Sequence, residues 1–245
     1  MSVTHVLFDF FGTLVEYSPS RTEQGYPRSF ARLREAGSGL DYAGFLALWS
    51  ETAEALDAEA ERSGREFSMQ TLARAFLERA VPRPDASLVR DFVGLYLEEW
   101  NAGVRYHAAL PPMLDRLGER FTLGIVTNTH DATLVHGHLA RMGVADRFRA
   151  VVTSVEHGMR KPGPSIFEHA LAVVGARAER CLYVGDDPAA DYRGARGAGM
   201  RAMLIDPGDA HGVAAVDRLG SILDLERRLV ERPGEAGEAG VEAAP

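Results

Sequence analysis

Strand-like and helix-like segments alternate through the second half of the chain, and this alternation is the strongest constraint on its fold. The apolar runs typical of strands and the segments with helical apolar spacing lie, in chain order, at 121–126, 131–142, 149–153, 165–174, 181–184, 189–198 and 202–205. Segments that alternate in this way indicate a mostly parallel β-sheet with helices on both faces. We therefore predict the α/β fold class.

Residues 16–104 interrupt the alternation with a block of helical spacing that contains no convincing strand. Breaks divide this block into about four helices, at 37–39, 63–64 and 82–84. The short apolar run at 6–8 precedes the block and fits only as another strand of the same sheet. The chain is thus predicted to consist of a core (1–15 and 105–232), an inserted α-helical cap (16–104) and a disordered tail (233–245) rich in Gly, Glu and Ala.

Composition argues against several classes of partner. The 35 acidic residues outnumber the 27 basic ones and give a net charge of −8, whereas nucleic-acid binding normally demands a basic face. No apolar run approaches the roughly 18 residues of a membrane span, and the first residues lack the pattern of a signal peptide. Cys181 is the only cysteine, which suits a reducing compartment. We expect a cytoplasmic monomer or homodimer with no nucleic-acid or membrane partner.

The first predicted strand ends in a carboxylate. Val6, Leu7 and Phe8 are followed at once by Asp9, and Gly12 then permits a tight turn. Ligands of open α/β sheets bind at the carboxyl ends of the strands, so this position favours a functional carboxylate. A turn-capping role for Asp9 fits this stretch equally well.

Polar clusters follow two more of the predicted strands. Thr127 and Asn128 come after one strand, and Asp186, Asp187 and Asp191 come after another. Several carboxylates at one edge of a sheet would repel each other unless a cation lay between them. Because hard oxygen ligands favour Mg²⁺, the sequence predicts a magnesium site at this edge.

Lysine occurs only once in the chain. The other 26 basic residues are arginine, so a position that keeps lysine is expected to need a compact ammonium group rather than a planar guanidinium. Lys161 lies in a proline-containing loop just before a predicted helix, close to the same edge of the sheet. A chance position on the surface is the alternative.

These motifs together resemble those of the haloacid dehalogenase-like hydrolase superfamily, in the subclass with a helical cap inserted after the first motif. The resemblance extends over residues 5–206. Asp9–Leu14 is similar to the first motif of the family, Thr127 to the second, Lys161 to the third and Gly185–Asp191 to the fourth. It implies a Rossmann-like core and a hydrolase activity.

The resemblance implies catalytic roles for Asp9, Thr127 and Lys161. Asp9 would be the nucleophile that forms an aspartyl intermediate, and Lys161 would balance the charges of nucleophile and phosphoryl group. The oxygens of the transferred group would be bound by side chains and backbone amides of Phe10, Phe11, Gly12, Thr127, Asn128 and Lys161.

The resemblance also implies the ligands of the metal. Mg²⁺ would be held by Asp9, Asp186 and the backbone carbonyl of Phe11, with Asp187 or Asp191 in support. It would screen the repulsion between an anionic nucleophile and an anionic substrate.

Phe11 departs from the pattern of the family phosphatases, which carry a second Asp there as general acid and base. A missing general acid–base typically slows a reaction about 10²- to 10⁴-fold. The expected substrate is a small anionic phosphorylated metabolite. One interpretation is that it has a good leaving group, such as an acyl phosphate or anhydride, which needs little protonation. Otherwise the proton would come from the substrate, from water or from Tyr17, Glu23 or His107.

Two alternatives remain open at this stage. A metal-independent 2-haloacid dehalogenase would tolerate Phe11, because halide leaves without a proton, but Asp186 and Asp187 would repel its carboxylate substrate. A degenerate, non-catalytic protein that binds a phosphorylated ligand is the other alternative. Specificity is expected to come from the cap and the loop after the first motif, where Arg21 is the best candidate for a second anionic group of the substrate.

Overall fold

The computed structural model of this chain describes residues 2–18, 20 and 22–230. The strands in these residues are β1 (His5–Phe8), β2 (Thr122–Thr127), β3 (Phe148–Thr153), β4 (Cys181–Gly185), β5 (Arg201–Ile205) and β6 (Arg218–Leu219). The α-helices are α1 (Pro27–Glu35), α2 (Tyr42–Ser63), α3 (Met69–Ala80), α4 (Ala86–Trp100), α5 (Leu110–Gly118), α6 (Ala132–Met142), α7 (Ser154–His157), α8 (Pro164–Val174), α9 (Gly194–Gly197) and α10 (Leu225–Val230).

The strands form one parallel sheet in the order β3-β2-β1-β4-β5-β6. The first strand of the chain lies at the centre of this sheet, between β2 and β4. Helices α5 and α6 contribute to the apolar cluster on one face, and α8 and α9 to the cluster on the other. The predicted α/β class with a Rossmann-like sheet is confirmed.

The burial of β1 explains its continuous apolar sequence. Val6 and Phe8 pack into the cluster that contains α5 and α6, whereas Leu7 packs into the cluster on the opposite face. All three side chains are almost completely buried. A strand covered on both faces has no polar positions to alternate with apolar ones.

Helices α1 to α4 form the inserted cap, and we call them the cap helices. They pack around a third apolar cluster that includes Phe45, Trp49, Phe76, Phe92 and Tyr96. Each of α2, α3 and α4 is preceded by a capping residue whose side chain accepts a hydrogen bond from a backbone amide of the first turn, namely Asp41, Ser68 and Asp85. The predicted breaks between the cap helices are confirmed, while the domain boundaries at 15/16 and 104/105 stay predictions.

The prediction differs from the structure at the C-terminal side of the sheet. The two residues of β6 are too few to show a pattern in the sequence, and 189–198 is a π-helical segment (Pro188–Arg193) followed by α9 rather than one helix. The tail predicted to be disordered lies outside the described residues. No helix in the described part of the chain is both long and apolar enough to cross a membrane.

Candidate active site

Three neighbouring strands bring the predicted motif residues to one edge of the sheet. Asp9 follows β1, Thr127 ends β2, and Asp186 follows β4. The amide of Asp9 donates a 2.9 Å hydrogen bond to the carbonyl of Val184, which holds the nucleophile candidate beside β4. One carboxylate oxygen each from Asp9, Asp186 and Asp191 lies within 4.8 Å of the others, and we call these three residues the carboxylate triad.

The ammonium of Lys161 connects the triad to the sheet. Its Nζ lies 2.7 Å from Oδ1 of Asp9, 2.5 Å from Oδ1 of Asp191 and 2.8 Å from the hydroxyl of Tyr183. These three acceptors match the three N–H donors of an ammonium group. The Tyr183 hydroxyl in turn donates to the carbonyl of Val126 in β2, at 2.6 Å. The only lysine of the chain is thus buried between the strands that carry the motifs.

Burial governs the charges in this site. It raises the pKa of Asp9 to about 7, and it raises that of Asp186 to about 6. Burial opposes the charge of Lys161, but the attraction of Asp191 and Asp9 outweighs it and holds the pKa of the lysine above its usual value. The site therefore contains two carboxylates whose ionised forms are poorly stabilised by the protein alone.

Asp191 and Asp187 have different roles. Oδ2 of Asp191 accepts hydrogen bonds from the amides of Asp186 and Asp187, so Asp191 shapes the loop as well as holding Lys161. Oδ1 of Asp187 instead accepts from the amides of Ala189 and Ala190 and caps the π-helical segment. Asp187, a predicted metal ligand, is therefore not a member of the triad, because its carboxylate serves the turn.

The donor set fits a hard divalent cation. Oδ1 of Asp186 accepts a 3.1 Å hydrogen bond from the hydroxyl of Thr13, while the Cβ of a residue replacing Gly12 would clash with Oδ2 of Asp186. The first turn, with φ 87° at Gly12, thus approaches the triad closely. The carbonyl of Phe10 accepts hydrogen bonds from the amides of Leu14 and Val15. Such a cation would compensate the negative charges of Asp9 and Asp186, whose pKa values are raised by burial.

Thr127 and Asn128 also differ in role. Oγ1 of Thr127 is buried and has no hydrogen-bond partner among the described residues, which leaves it available to an oxygen of a ligand. The amide of Asn128 is engaged on both sides, since Nδ2 donates to the carbonyl of Lys161 and Oδ1 accepts from its N–H. Asn128, predicted to bind substrate, thus holds the backbone of the lysine loop with its side-chain amide.

The two phenylalanines of the first motif point to different surroundings. Phe10 is buried in the core and stacks on His138, so only its backbone can take the predicted part in substrate binding. The half-buried ring of Phe11 contacts Tyr17 and Trp100, with ring centroids 5.7 and 5.3 Å away. Arg21, the predicted specificity residue, lies outside the described residues.

A cavity of about 260 Å³ lies beside this site, between the core and the cap helices. One wall is aromatic and includes Phe11, Tyr17, Tyr96 and Trp100; the polar lining residues include Glu66, Asn128, Thr129, His130 and Arg160. Sequence reasoning did not identify Glu66, His130 or Arg160 as residues of the site. The position of Arg160 directly before the unique lysine was the one signal available.

The three residues considered as replacement proton donors are placed differently. Tyr17 lines the cavity, whereas Glu23 is exposed and accepts a hydrogen bond from Ser18. His107 is exposed, and its Nδ1 accepts from the amide of Ala109. Tyr17 is therefore the best placed of the three.

The chain is similar along most of its length to known phosphatases and to a dehalogenase. The chain is 27% identical over 241 residues to the ribulose-1,5-bisphosphate 5-phosphatase of Halopiger xanaduensis. The aligned region covers 91% of this chain and 98% of that protein. It is 30% identical over 237 residues to the glyceraldehyde 3-phosphate phosphatase of Methanopyrus kandleri, and this aligned region covers 92% of this chain and 98% of that protein. The solved 2-haloacid dehalogenase from Pseudomonas syringae pv. Tomato is similar with a TM-score of 0.68 and 25% identity, over 94% of this chain and 100% of that one.

The family assignment rests on the match over most of the chain. Residues 3–199 match the family described as haloacid dehalogenase-like hydrolase, a range that contains β1, the cap helices and every member of the carboxylate triad. The chain therefore belongs to the haloacid dehalogenase-like hydrolases.

Proposed function

We propose that this hydrolase is a Mg²⁺-dependent phosphatase that removes phosphate from a small metabolite through an aspartyl-phosphate on Asp9. The observation that carries the proposal is the carboxylate triad, with Lys161 bonded to two of its members. The names of the two relatives described above, both phosphatases, support phosphate as the transferred group.

The mechanism begins with the free oxygen of Asp9. Because Oδ1 is bonded to Lys161, Oδ2 is the atom that attacks phosphorus, while the bond from phosphorus to the leaving oxygen breaks. The unpartnered hydroxyl of Thr127 donates to a phosphoryl oxygen, and the charge of Lys161 favours the ionised nucleophile. Water then attacks the same phosphorus, which releases inorganic phosphate and restores the carboxylate of Asp9.

Asp9 and Asp186 would hold the metal, together with the carbonyl of Phe11, while Asp191 positions both Lys161 and the loop that carries Asp186. When bound, Mg²⁺ supplies positive charge that offsets the repulsion between carboxylates and phosphate and stabilises the transition state.

A phosphate-release screen with and without Mg²⁺ tests the proposal. The panel contains acyl phosphates, sugar phosphates and other small phosphomonoesters, and the expected result is phosphate release that requires the metal. Chloride or bromide release from 2-haloacids in the presence of a chelator, without any phosphate release, would contradict the proposal and favour a dehalogenase. Ligand binding without turnover of any compound would contradict it in favour of a non-catalytic protein.

Replacing Phe11 by Asp is expected to speed the hydrolysis of poor leaving groups, such as alkyl phosphates, by about 10²-fold. The new carboxyl group would lie two residues after Asp9 and could protonate the leaving oxygen. Acyl phosphates need little protonation, so their turnover should change much less. The measurement is kcat on both substrate classes.

The matched control is Phe11→Asn, which removes the same ring contacts with Tyr17 and Trp100 but cannot transfer a proton. If Asp and Asn variants behave alike on alkyl phosphates, proton transfer does not limit the reaction.

The metal-free protein is expected to lose stability as the pH rises. Asp9 and Asp186 have pKa values of about 7 and about 6, above their ordinary value of 3.8. From about pH 4 to pH 7 the folded state binds more protons than the unfolded state, so the free energy of unfolding falls. Metal binding removes the need for these protons, so Mg²⁺ should raise Tm more at about pH 8 than at about pH 5.

Thermal unfolding with and without Mg²⁺ at the two pH values checks this expectation. Asp186→Asn is the control, because it leaves the metal with one fewer carboxylate and should reduce the Mg²⁺-dependent increase in Tm. The assignment of Asp9 and Asp186 as metal ligands would be contradicted by a Mg²⁺-dependent increase in Tm that is equal at both pH values. It would also be contradicted by an increase in Asp186→Asn as large as that in the wild type.

A further inference from the structure

The guanidinium of Arg160 lies on the polar side of the cavity and is short of hydrogen-bond partners. Its Nη1 is buried and makes no hydrogen bond to any described residue. The nearest carboxylates are 3.9 Å away, with Oδ1 of Asp57 facing Nη1 and Oε2 of Glu66 facing Nε. These separations exceed the usual 2.7–3.2 Å of a hydrogen bond. The guanidinium of Arg160 is therefore within ion-pair distance of two carboxylates but donates a hydrogen bond to neither of them.

Both oxygens of Glu66 accept hydrogen bonds from residues other than Arg160. Oε2 accepts from the hydroxyl of Ser154 at 2.6 Å, and Oε1 accepts from the amide of Phe67 at 3.0 Å. Oε1 also lies 3.1 Å from Nδ1 of His130. Glu66 thus fastens the loop between α2 and α3 to the core and balances the charge of Arg160 from a distance.

Hydrogen bonds hold the backbone of Arg160 beside the lysine of the proposed phosphate site. Its N–H donates to the carbonyl of Gly64 at 2.9 Å, and the next residue, Lys161, is held by the side chain of Asn128. Consecutive Cα atoms are about 3.8 Å apart, so the backbone of Arg160 lies next to that of the lysine that contacts Asp9. The cavity that Arg160 lines is also lined by Phe11 and Asn128, and it has room for a small molecule.

We propose that Arg160 binds an anionic oxygen, of a carboxylate or of a second phosphate, at the end of the substrate remote from the phosphate that is removed. This inference rests on the proposed phosphatase function and specifies its substrate class. The planar fork of a guanidinium matches both anions with paired hydrogen bonds. Asp57 and Glu66, each 3.9 Å from the guanidinium, weaken the attraction.

The test compares substrates that differ only at the remote end. One pair is 3-phosphoglycerate with glycerol 3-phosphate, and the other is fructose 1,6-bisphosphate with fructose 6-phosphate, so the two pairs distinguish a carboxylate from a phosphate. In at least one pair, the wild type is expected to have a higher kcat/KM for the member that carries the remote carboxylate or phosphate. Arg160→Gln should reduce that preference about 10- to 100-fold, mainly through KM, as expected for the loss of charged hydrogen bonds.

Two further variants sharpen the comparison. Arg160→Lys keeps the charge without the fork and should retain part of the preference. Arg65→Gln removes one charge from an exposed residue of the loop between α2 and α3 and should leave the preference unchanged. An equal loss on both members of each pair, or no loss, would overturn the proposal, because a structural role would not distinguish the substrates.

The proposal remains testable if no phosphate is released. Calorimetric binding of the same four compounds to Asp9→Asn protein, with and without the Arg160→Gln change, measures the contact without turnover. If the Arg160→Gln change weakens the binding only of the compounds with a remote anionic group, the role of Arg160 is supported, even though the phosphatase proposal has then failed. Unchanged or uniformly weakened binding overturns the role of Arg160 while leaving the phosphatase proposal to the phosphate-release screen.

Discussion

Asp9→Asn is expected to abolish phosphate release, with a fall in kcat of about 10⁴-fold or more. The amide cannot form the aspartyl-phosphate, because it lacks the nucleophilic carboxylate oxygen that attacks phosphorus. A steady-state assay of phosphate release with the best substrate of the screen measures the loss. Activity within tenfold of the wild type would exclude Asp9 as the nucleophile.

The same variant is expected to fold at least as stably as the wild type without metal. The Asn carbonyl can still accept the hydrogen bond from Lys161, and the substitution removes a charge whose burial raises the pKa of Asp9 to about 7. An unchanged or higher Tm together with lost activity separates a chemical role from a folding defect. A large fall in Tm would instead indicate that the ion pair with Lys161 dominates the stability of this site.

Lys161→Met is expected to have the second largest effect and to act on both stability and rate. Removal of one partner from a buried ion pair typically destabilises a protein by about 3–5 kcal/mol, because the remaining charge has no compensation. Here two carboxylates, Asp9 and Asp191, and the hydroxyl of Tyr183 would lose the same donor. Denaturant unfolding measures the loss, and kcat should fall because nothing then balances the charge of the nucleophile.

The double variant Asp9→Asn/Lys161→Met provides the control. With one of the two carboxylates neutral, loss of the ammonium should destabilise the protein less than it does in the wild-type background. Lys161→Arg tests shape, since the larger guanidinium keeps the charge in a site where Nζ meets three acceptors at 2.5 to 2.8 Å. We expect it to be inactive. An active arginine variant would show that charge alone is sufficient.

Much of the fold could be predicted because its signals are local. The apolar runs of β1 to β5 and the breaks between the cap helices occupy a few consecutive residues each, and burial or capping of those residues determines the element. The first and fourth family motifs likewise begin at the ends of strands, at Asp9 and Gly185. Where the local signal was weak, as in the two residues of β6 and the π-helical segment, the prediction differed from the structure.

The sequence by itself determined the α/β class, the inserted helices and which side chains follow the strands. Only the tertiary structure decided which of those side chains meet. In the folded chain, Asn128 is hydrogen-bonded to the backbone of Lys161, and Asp191 rather than Asp187 contacts the lysine ammonium. Asp187 caps the π-helical segment, and Arg160 and Glu66 line the same cavity. The physical reason is that a hydrogen-bond partner is selected by distance in space, and these partners are brought together by strand order and by docking of the cap helices.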